Sequence, residues 1–137
     1  DSVERRVAGI QYKALAAKRA LMMRIVRDKW TAARNDADQT TAQAMKDWDP
    51  GRDFGPALLH AENLIRILAD VAISEALWEQ ARQWPDRLEV LERYLERAEP
   101  RCADLCNRIR TTGDRLLRQL ASGQTAETPT VVKSEAA

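Results

Sequence analysis

The first 48 residues carry an apolar pattern that predicts one very long amphipathic helix. Between Asp1 and Trp48 there is no proline and only one glycine, Gly9. Small or apolar residues recur in alternating steps of four and three, the spacing of a coiled-coil seam; these residues are Val3, Val7, Ile10, Ala14, Ala17 and Leu21. At roughly 1.5 Å per residue, such a helix exceeds what the later helices can cover. We therefore predict that this seam binds a partner.

The seam slips near Leu21 and resumes in a different phase, as a coiled-coil stutter would produce. The second run consists of Met22, Val26, Trp30, Ala33, Ala37, Ala44 and Trp48. Poor helix formers cluster between Arg34 and Thr41, where Asn35, Asp36 and Asp38 lie close together. A break in helix one at that point is therefore the alternative to one continuous helix.

A turn signal follows helix one. Pro50 and Gly51 suit the centre of a type II turn, and Pro56 suits the first turn of a new helix. The chain is expected to reverse here, with Trp48 and Phe54 packing against each other at the turn.

Helix two, predicted from Ala57 to Gln83, is the most apolar segment and is expected to be the centre of the fold. Its apolar residues cover most of the helix circumference and leave a narrow polar strip. Residues four apart form that strip, which we expect to face water; they are Glu62, Arg66, Asp70 and Ser74.

Two prolines punctuate the second half of the chain. Pro85 and Pro100 are expected to form corners that delimit helix three, from Asp86 to Ala98, and helix four, from Arg101 to Ala121. The predicted fold class is all-α: a long helical hairpin with helix one antiparallel to helix two, extended by two shorter proline-delimited helices. Residues 1–121 form the predicted helical domain.

Residues 122–137 are polar and lack helical periodicity, which predicts a non-helical C-terminal tail. Within this tail, Thr130 to Lys133 is the stretch best suited to lie extended on a partner.

Composition supports the helical class, since apolar residues make up 45% of the chain and charged residues 31%. The net charge of +1 argues against a polyanion as the main partner, but residues 1–34 hold nine Lys or Arg against three acidic residues. Nucleic-acid binding through the basic helix, residues 5–34, is therefore the alternative function. Its expected contacts are Arg5, Arg6, Lys13, Arg19, Arg24 and Arg27, although these residues fall on several helix faces.

Metal sites receive little support from the sequence. Alternating Asp47, Asp49, Gly51 and Asp53 superficially match a calcium loop, but the required glycine and bidentate glutamate are replaced by Arg52 and Leu58. His60 is the sole histidine, and a zinc site would have to combine it with Cys102 and Cys106 across the fold. We predict neither a metal nor a cofactor.

Catalysis is not predicted either, because the sequence contains no phosphate-binding glycine loop and no nucleophile elbow.

Cys102 and Cys106 are four residues apart on one helix face, a poor geometry for a disulfide, so we expect buried free thiols in a reducing compartment. The compartment would be the cytoplasm, or the mitochondrion if a transit peptide preceded Asp1. The apolar runs are too short for a transmembrane segment.

The predicted function is therefore a non-catalytic helical structural or adaptor subunit of a multiprotein complex. Other protein subunits are the expected partners, with a homo-oligomer as the second option and nucleic acid as the third.

Overall fold

The computed structural model describes residues 2–35, 40–44 and 46–122. Its helices are α1 (Ser2–Asn35), α2 (Thr41–Ala44), α3 (Pro50–Asp53), α4 (Gly55–Leu59), α5 (Ala61–Gln83), α6 (Leu88–Thr111) and α7 (Asp114–Ala121), with a 3-10 turn (Pro85–Arg87) before α6. The predicted all-α class is confirmed. The predicted tail lies outside the described residues beyond Ser122.

The three long helices, α1, α5 and α6, pack against one another as a bundle. Gln11 donates a hydrogen bond to Glu75 at 2.8 Å, whereas Lys29, further along α1, meets Asp53 before α5 at 2.7 Å. α1 therefore runs antiparallel to α5, as the predicted hairpin requires. The short turn at Pro85–Arg87 reverses the chain again, so that α6 runs parallel to α1.

The core lies between these three helices and contains one apolar row from α1 and one from α6. Each row follows steps of three and four, so its side chains share one helix face. Burial of each large aliphatic side chain contributes about 1.5–3 kcal/mol. The core residues are Val3, Val7, Ile10, Ala14, Ala17 and Leu21 of α1, Ile67 of α5, and Leu91, Leu95, Ala98, Cys102, Leu105, Cys106 and Ile109 of α6.

Helix one ends earlier than the continuous prediction, at Asn35 rather than Trp48. The alternative break near Arg34 is the correct one, because α2 and α3 follow as separate one-turn helices. The predicted contact at the turn is confirmed: the Trp48 and Phe54 ring centroids are 5.6 Å apart with the rings tilted by 39°. The Lys29 ammonium lies 5.1 Å from the centroid of the Trp48 ring, which connects this turn to α1.

The predicted corner at Pro100 is wrong, because α6 continues through this residue. Pro100 is exposed and lies between the buried residues Ala98 and Cys102. Its ring therefore falls on the solvent side, where a helix that wraps around a core lengthens its hydrogen bonds most readily. The continuous buried row of α6 outweighs the lost backbone hydrogen bond, which costs about 3 kcal/mol in a helix interior.

The predicted helix four is instead divided by Gly113, between α6 and α7. Gly113 has φ +98°, and a Cβ placed there would lie 2.5 Å from Leu59 Cδ2. Glycine is therefore needed both for the left-handed backbone and for the close approach to α4. His60, which separates α4 from α5, donates from Nε2 to the Thr112 carbonyl at 3.1 Å and holds the same corner.

The predicted polar strip of helix two does not face water along its whole length. Asp70 and Ser74 are buried, at 4% and 0% exposure, whereas Ile65 and Ile73 are exposed. Residues four apart advance 400° around a helix, so a row at this spacing drifts by 40° per step and passes from solvent into the core. α5 therefore contributes one fully buried apolar residue, Ile67, and packs against the core through partly buried side chains such as Leu64 and Leu68.

Candidate partner-binding surface

The seam predicted to bind a partner lies in the chain's own core. All six of its residues are at most 5% exposed, as α5 and α6 cover this face of α1. In the folded chain this seam therefore has almost no exposed area for a partner; its residues are Val3, Val7, Ile10, Ala14, Ala17 and Leu21. The 3-4 spacing identified a buried helix face correctly, but it could not distinguish an intramolecular neighbour from another chain.

A second apolar row lies on the opposite side of α1 and faces solvent. We call it the outer stripe: Tyr12, Leu15, Met22, Met23 and Trp30, which are 48–71% exposed. At 100° per residue these side chains lie within about 100° of one another and roughly opposite the core row. The stripe extends for about 27 Å along the helix axis. Large apolar side chains grouped in this way on a protein surface are typical of an interaction site.

The sequence contained a partial signal for this surface. The second predicted run included Met22, Val26 and Trp30, which belong to the outer side of α1. However, the spacing alone predicts that this run continues the same seam after a slip, and the run includes Ala33, which is buried in the structure. The run thus combines two helix faces. Its Ala37 lies outside the described residues.

The solvent side of α6 differs in chemistry from the outer side of α1. Charged and polar residues cover that side, with i, i+4 ion pairs such as Arg93 with Glu89 at 2.6 Å and Arg108 with Asp104 at 2.9 Å. These pairs are exposed and contribute only a few tenths of a kcal/mol each. The outer side of α1 therefore differs in chemistry from an ordinary solvated helix face.

Charge is distributed unevenly along α1. No acidic residue occurs between Glu4 and Asp28, whereas seven Lys or Arg do. Three of the six residues predicted to bind nucleic acid are engaged within the chain: Arg6 with Glu99 at 3.0 Å, Arg24 with Asp114, and Arg27 with Asp28 at 3.3 Å. The hydrogen bond from Arg6 to Glu99 raises the pKa of Arg6.

The other three residues of that set are Arg5, Lys13 and Arg19. Within the described residues, none of them forms an ion pair, and neither does Lys18. At 100° per residue, these three are spread over about a third of the circumference of α1. Arg19 projects from the outer stripe itself, between Leu15 and Met22. Three of the six predicted cations are therefore engaged within the chain, and the other three lie within about 120° of one another on α1.

A polar cluster at the edge of the core centres on Asp70 of α5, which is 4% exposed. Arg101 Nε donates to Asp70 Oδ2 at 2.9 Å, the Tyr94 hydroxyl donates to Oδ1 at 2.7 Å, and the Cys102 thiol donates to Oδ2 at 3.3 Å. Burial alone would raise the pKa of Asp70, but these hydrogen bonds together lower it. Burial and the contact with Asp70 raise the pKa of Tyr94 to about 12.

The same cluster determines the chemistry of Cys102. Burial, together with the neighbouring carboxylate, raises the pKa of this thiol to about 12. Because the thiolate is the reactive species, this shift and the full burial of Cys102 disfavour reaction at its sulfur. Cys106 is also buried and free.

The aspartates of the suspected calcium loop have other roles in the structure. Asp49 accepts a hydrogen bond from the Gly51 amide at 2.8 Å, and Asp53 accepts one from the Asp49 amide at 2.8 Å. Asp53 also forms a buried ion pair with Lys29. Among the residues that the structure describes, no three His, Cys, Asp or Glu side chains are grouped closely enough to hold a metal ion.

Comparison with known proteins yields no match to any family model, curated protein or solved structure. Of the helices in residues 2–35, 40–44 and 46–122, none has both the length and the apolar character needed to cross a membrane. The surface of this chain, and above all the outer stripe, is therefore the guide to its function.

Proposed function

We propose that this chain is a non-catalytic helical adaptor or structural subunit that binds another protein through the outer stripe of α1. One observation carries the proposal: five large apolar side chains, 48–71% exposed, lie on the side of α1 opposite the core. Water contact with such a surface is unfavourable, and burial against a partner would remove that cost. The proposed contact surface is therefore the outer stripe and not the core seam, which α5 and α6 cover.

Two further features support an adaptor role. α1 is held in place by the core row on its inner side and by the Lys29–Asp53 and Arg24–Asp114 ion pairs near its C-terminal end. The stripe is therefore preorganised, so binding would not have to order the helix. The buried free thiols support a reducing compartment, cytoplasmic or mitochondrial, as part of the same proposal.

Site-specific photo-crosslinking tests the proposal directly. A photoreactive amino acid replaces Leu15 on the stripe in one variant and Arg97 on the solvent side of α6 in another, and each full chain is expressed in its native cells. We expect the Leu15 position to yield a defined crosslinked protein and the Arg97 position to yield none. The crosslink should disappear when Met22→Gln and Trp30→Gln are added. Absence of any crosslink at Leu15 would contradict the proposal.

Nucleic-acid binding is the alternative function, and the acid-free stretch from Arg5 to Arg27 favours it. The intramolecular pairs of Arg6, Arg24 and Arg27 reduce the charge available to phosphates. If this function is correct, affinity for duplex or single-stranded nucleic acid should fall steeply as salt rises, because bound counterions are released on binding. Lack of binding at low salt would exclude this alternative.

A further inference from the structure

The chemistry around the outer stripe narrows the class of partner, provided that the proposed function holds. We infer that the stripe binds an amphipathic helix whose apolar face is bordered by acidic residues. The inference rests on three observations: the helical spacing of the stripe, the absence of acidic residues along it, and the position of Arg19 within it.

The spacing of the stripe fits a helix as the binding element. Tyr12, Leu15 and Met22 are separated by three and seven residues, and Trp30 follows eight residues later. Side chains at such intervals form ridges that interdigitate with those of a second helix. The stripe spans about five helical turns, which matches helix-in-groove recognition with anchors spaced over several turns.

Charge complementarity points to an acidic partner. No carboxylate occurs from Arg5 to Arg27, and Arg5, Lys18 and Arg19 form no ion pair within the described residues. Carboxylates on a docking helix would meet these cations at the rim of the apolar contact. Such pairs steer association and select the partner and its orientation.

A second copy of the chain fits this surface less well. Pairing two α1 helices through their stripes would place Arg19 and its neighbours against an equally basic helix, with no carboxylate to offset the repulsion. The exposed apolar residues of α5, Ile65 and Ile73, offer another self-contact. However, Glu62 and Glu79 near that face already pair with Arg66 and Arg82 of the same helix. These carboxylates are therefore less available to the cations of a second copy.

An anionic membrane is also less favourable than a helix. Arg19 projects between Leu15 and Met22, so insertion of the stripe among acyl chains would draw a guanidinium toward hydrocarbon without a partner. A facing helix can instead place a carboxylate opposite Arg19. The position of this one cation therefore favours a protein partner.

Binding to designed helices tests the inference on the full chain. Three synthetic amphipathic helices carry the same leucine face and have Glu, Gln or Lys at the flanking positions. With two or three weak ion pairs at the rim, the Glu helix should bind about five- to tenfold more tightly than the Gln helix. Added salt should reduce this difference. The Lys helix should bind most weakly.

Arg19→Gln should remove part of the preference for Glu over Gln, whereas Arg97→Gln on α6 should leave it unchanged. Equal binding of the three helices would overturn the inference, as would preferential binding to vesicles rich in anionic lipid or saturable self-association through the stripe. If the Leu15 crosslink forms but the Glu preference is absent, only the inference fails. If both the crosslink and all helix binding are absent, the proposed function fails as well.

Discussion

Asp70 shows at the scale of one residue how this bundle tolerates a buried charge. Arg101, Tyr94 and Cys102 of α6 all donate hydrogen bonds to its carboxylate. Because these donors occupy fixed positions along α6, the cluster favours a single register between α5 and α6. Buried polar groups can provide such specificity even where they add little net stability.

Replacement of Asp70 should be costly because it leaves its donors without a charged acceptor. For Asp70→Asn at pH 7, we expect the free energy of unfolding to fall by about 1–3 kcal/mol, since hydrogen bonds to charged groups contribute amounts of this order. Partial exposure of Arg101 keeps the loss below that of a fully buried pair. Urea denaturation measures the change. Asp104→Asn, which removes an exposed pair, should cost less than about 0.5 kcal/mol.

The cost of Asp70→Asn should depend on pH. The pKa of Asp70 is lowered in the folded chain, so its ionised form stabilises the fold above the unfolded pKa, which is near 3.9. This stabilisation is lost as pH falls through the folded pKa. The difference in free energy of unfolding between wild type and Asp70→Asn should therefore be largest near neutral pH and narrow below about pH 4. A constant difference down to pH 2 would contradict the assigned hydrogen bonds.

At the scale of elements, the corner between α6 and α7 depends on one glycine. Gly113 adopts a left-handed backbone and lies against Leu59 and His60. Gly113→Ala should therefore lower the free energy of unfolding by about 1–3 kcal/mol, through backbone strain and the new contact.

Gly9→Ala is the matched control for this prediction, since a Cβ at Gly9 meets nothing within 4 Å in the interior of α1. It should stabilise the chain by about 0.5–1 kcal/mol. Thermal denaturation of both variants distinguishes the two environments. A stabilising Gly113→Ala would show that the corner does not need the left-handed conformation.

The elements also show how far the sequence can predict the fold. Apolar periodicity identifies the α1 core row. The Pro50–Gly51 signal locates the chain reversal, but the predicted type II turn is wrong, because these residues begin α3 and Gly51 has no positive φ. The predicted corner at Pro100 is wrong because the packing of α6 on both sides of this residue outweighs its local helix-breaking tendency. The division at Gly113 was missed, although a glycine directly after the periodic residues of a helix is a recognised C-terminal signal.

The surface was harder to predict than the fold. Both faces of α1 carry apolar residues at helical spacing, and the sequence alone cannot show which face the other helices cover. The length of the predicted helix suggested a surplus for a partner. In the structure, α3 and α4 contact α1 near its C-terminal end, and Lys29 pairs there with Asp53.

At the scale of the whole molecule, α1 has two apolar faces with opposite roles, and paired substitutions can separate them. Ile10 is fully buried among α5 and α6, whereas Leu15 is 64% exposed on the outer stripe. Ile10→Ala should lower the free energy of unfolding by about 2–5 kcal/mol, because it leaves a cavity in the core. Leu15→Ala should change it by less than about 0.5 kcal/mol, as expected for an exposed site.

The affinity for the acidic helix should fall in Leu15→Ala and not in Ile10→Ala, the reverse of the order expected for stability. Leu15→Ala removes a contact from the stripe and should weaken binding of the acidic helix, whereas any Ile10→Ala protein that remains folded should bind normally. Urea denaturation combined with titration of the labelled Glu helix measures both properties on the same samples. A loss of stability for Leu15→Ala as large as that for Ile10→Ala would place Leu15 in a core contact and remove the outer stripe as a binding surface.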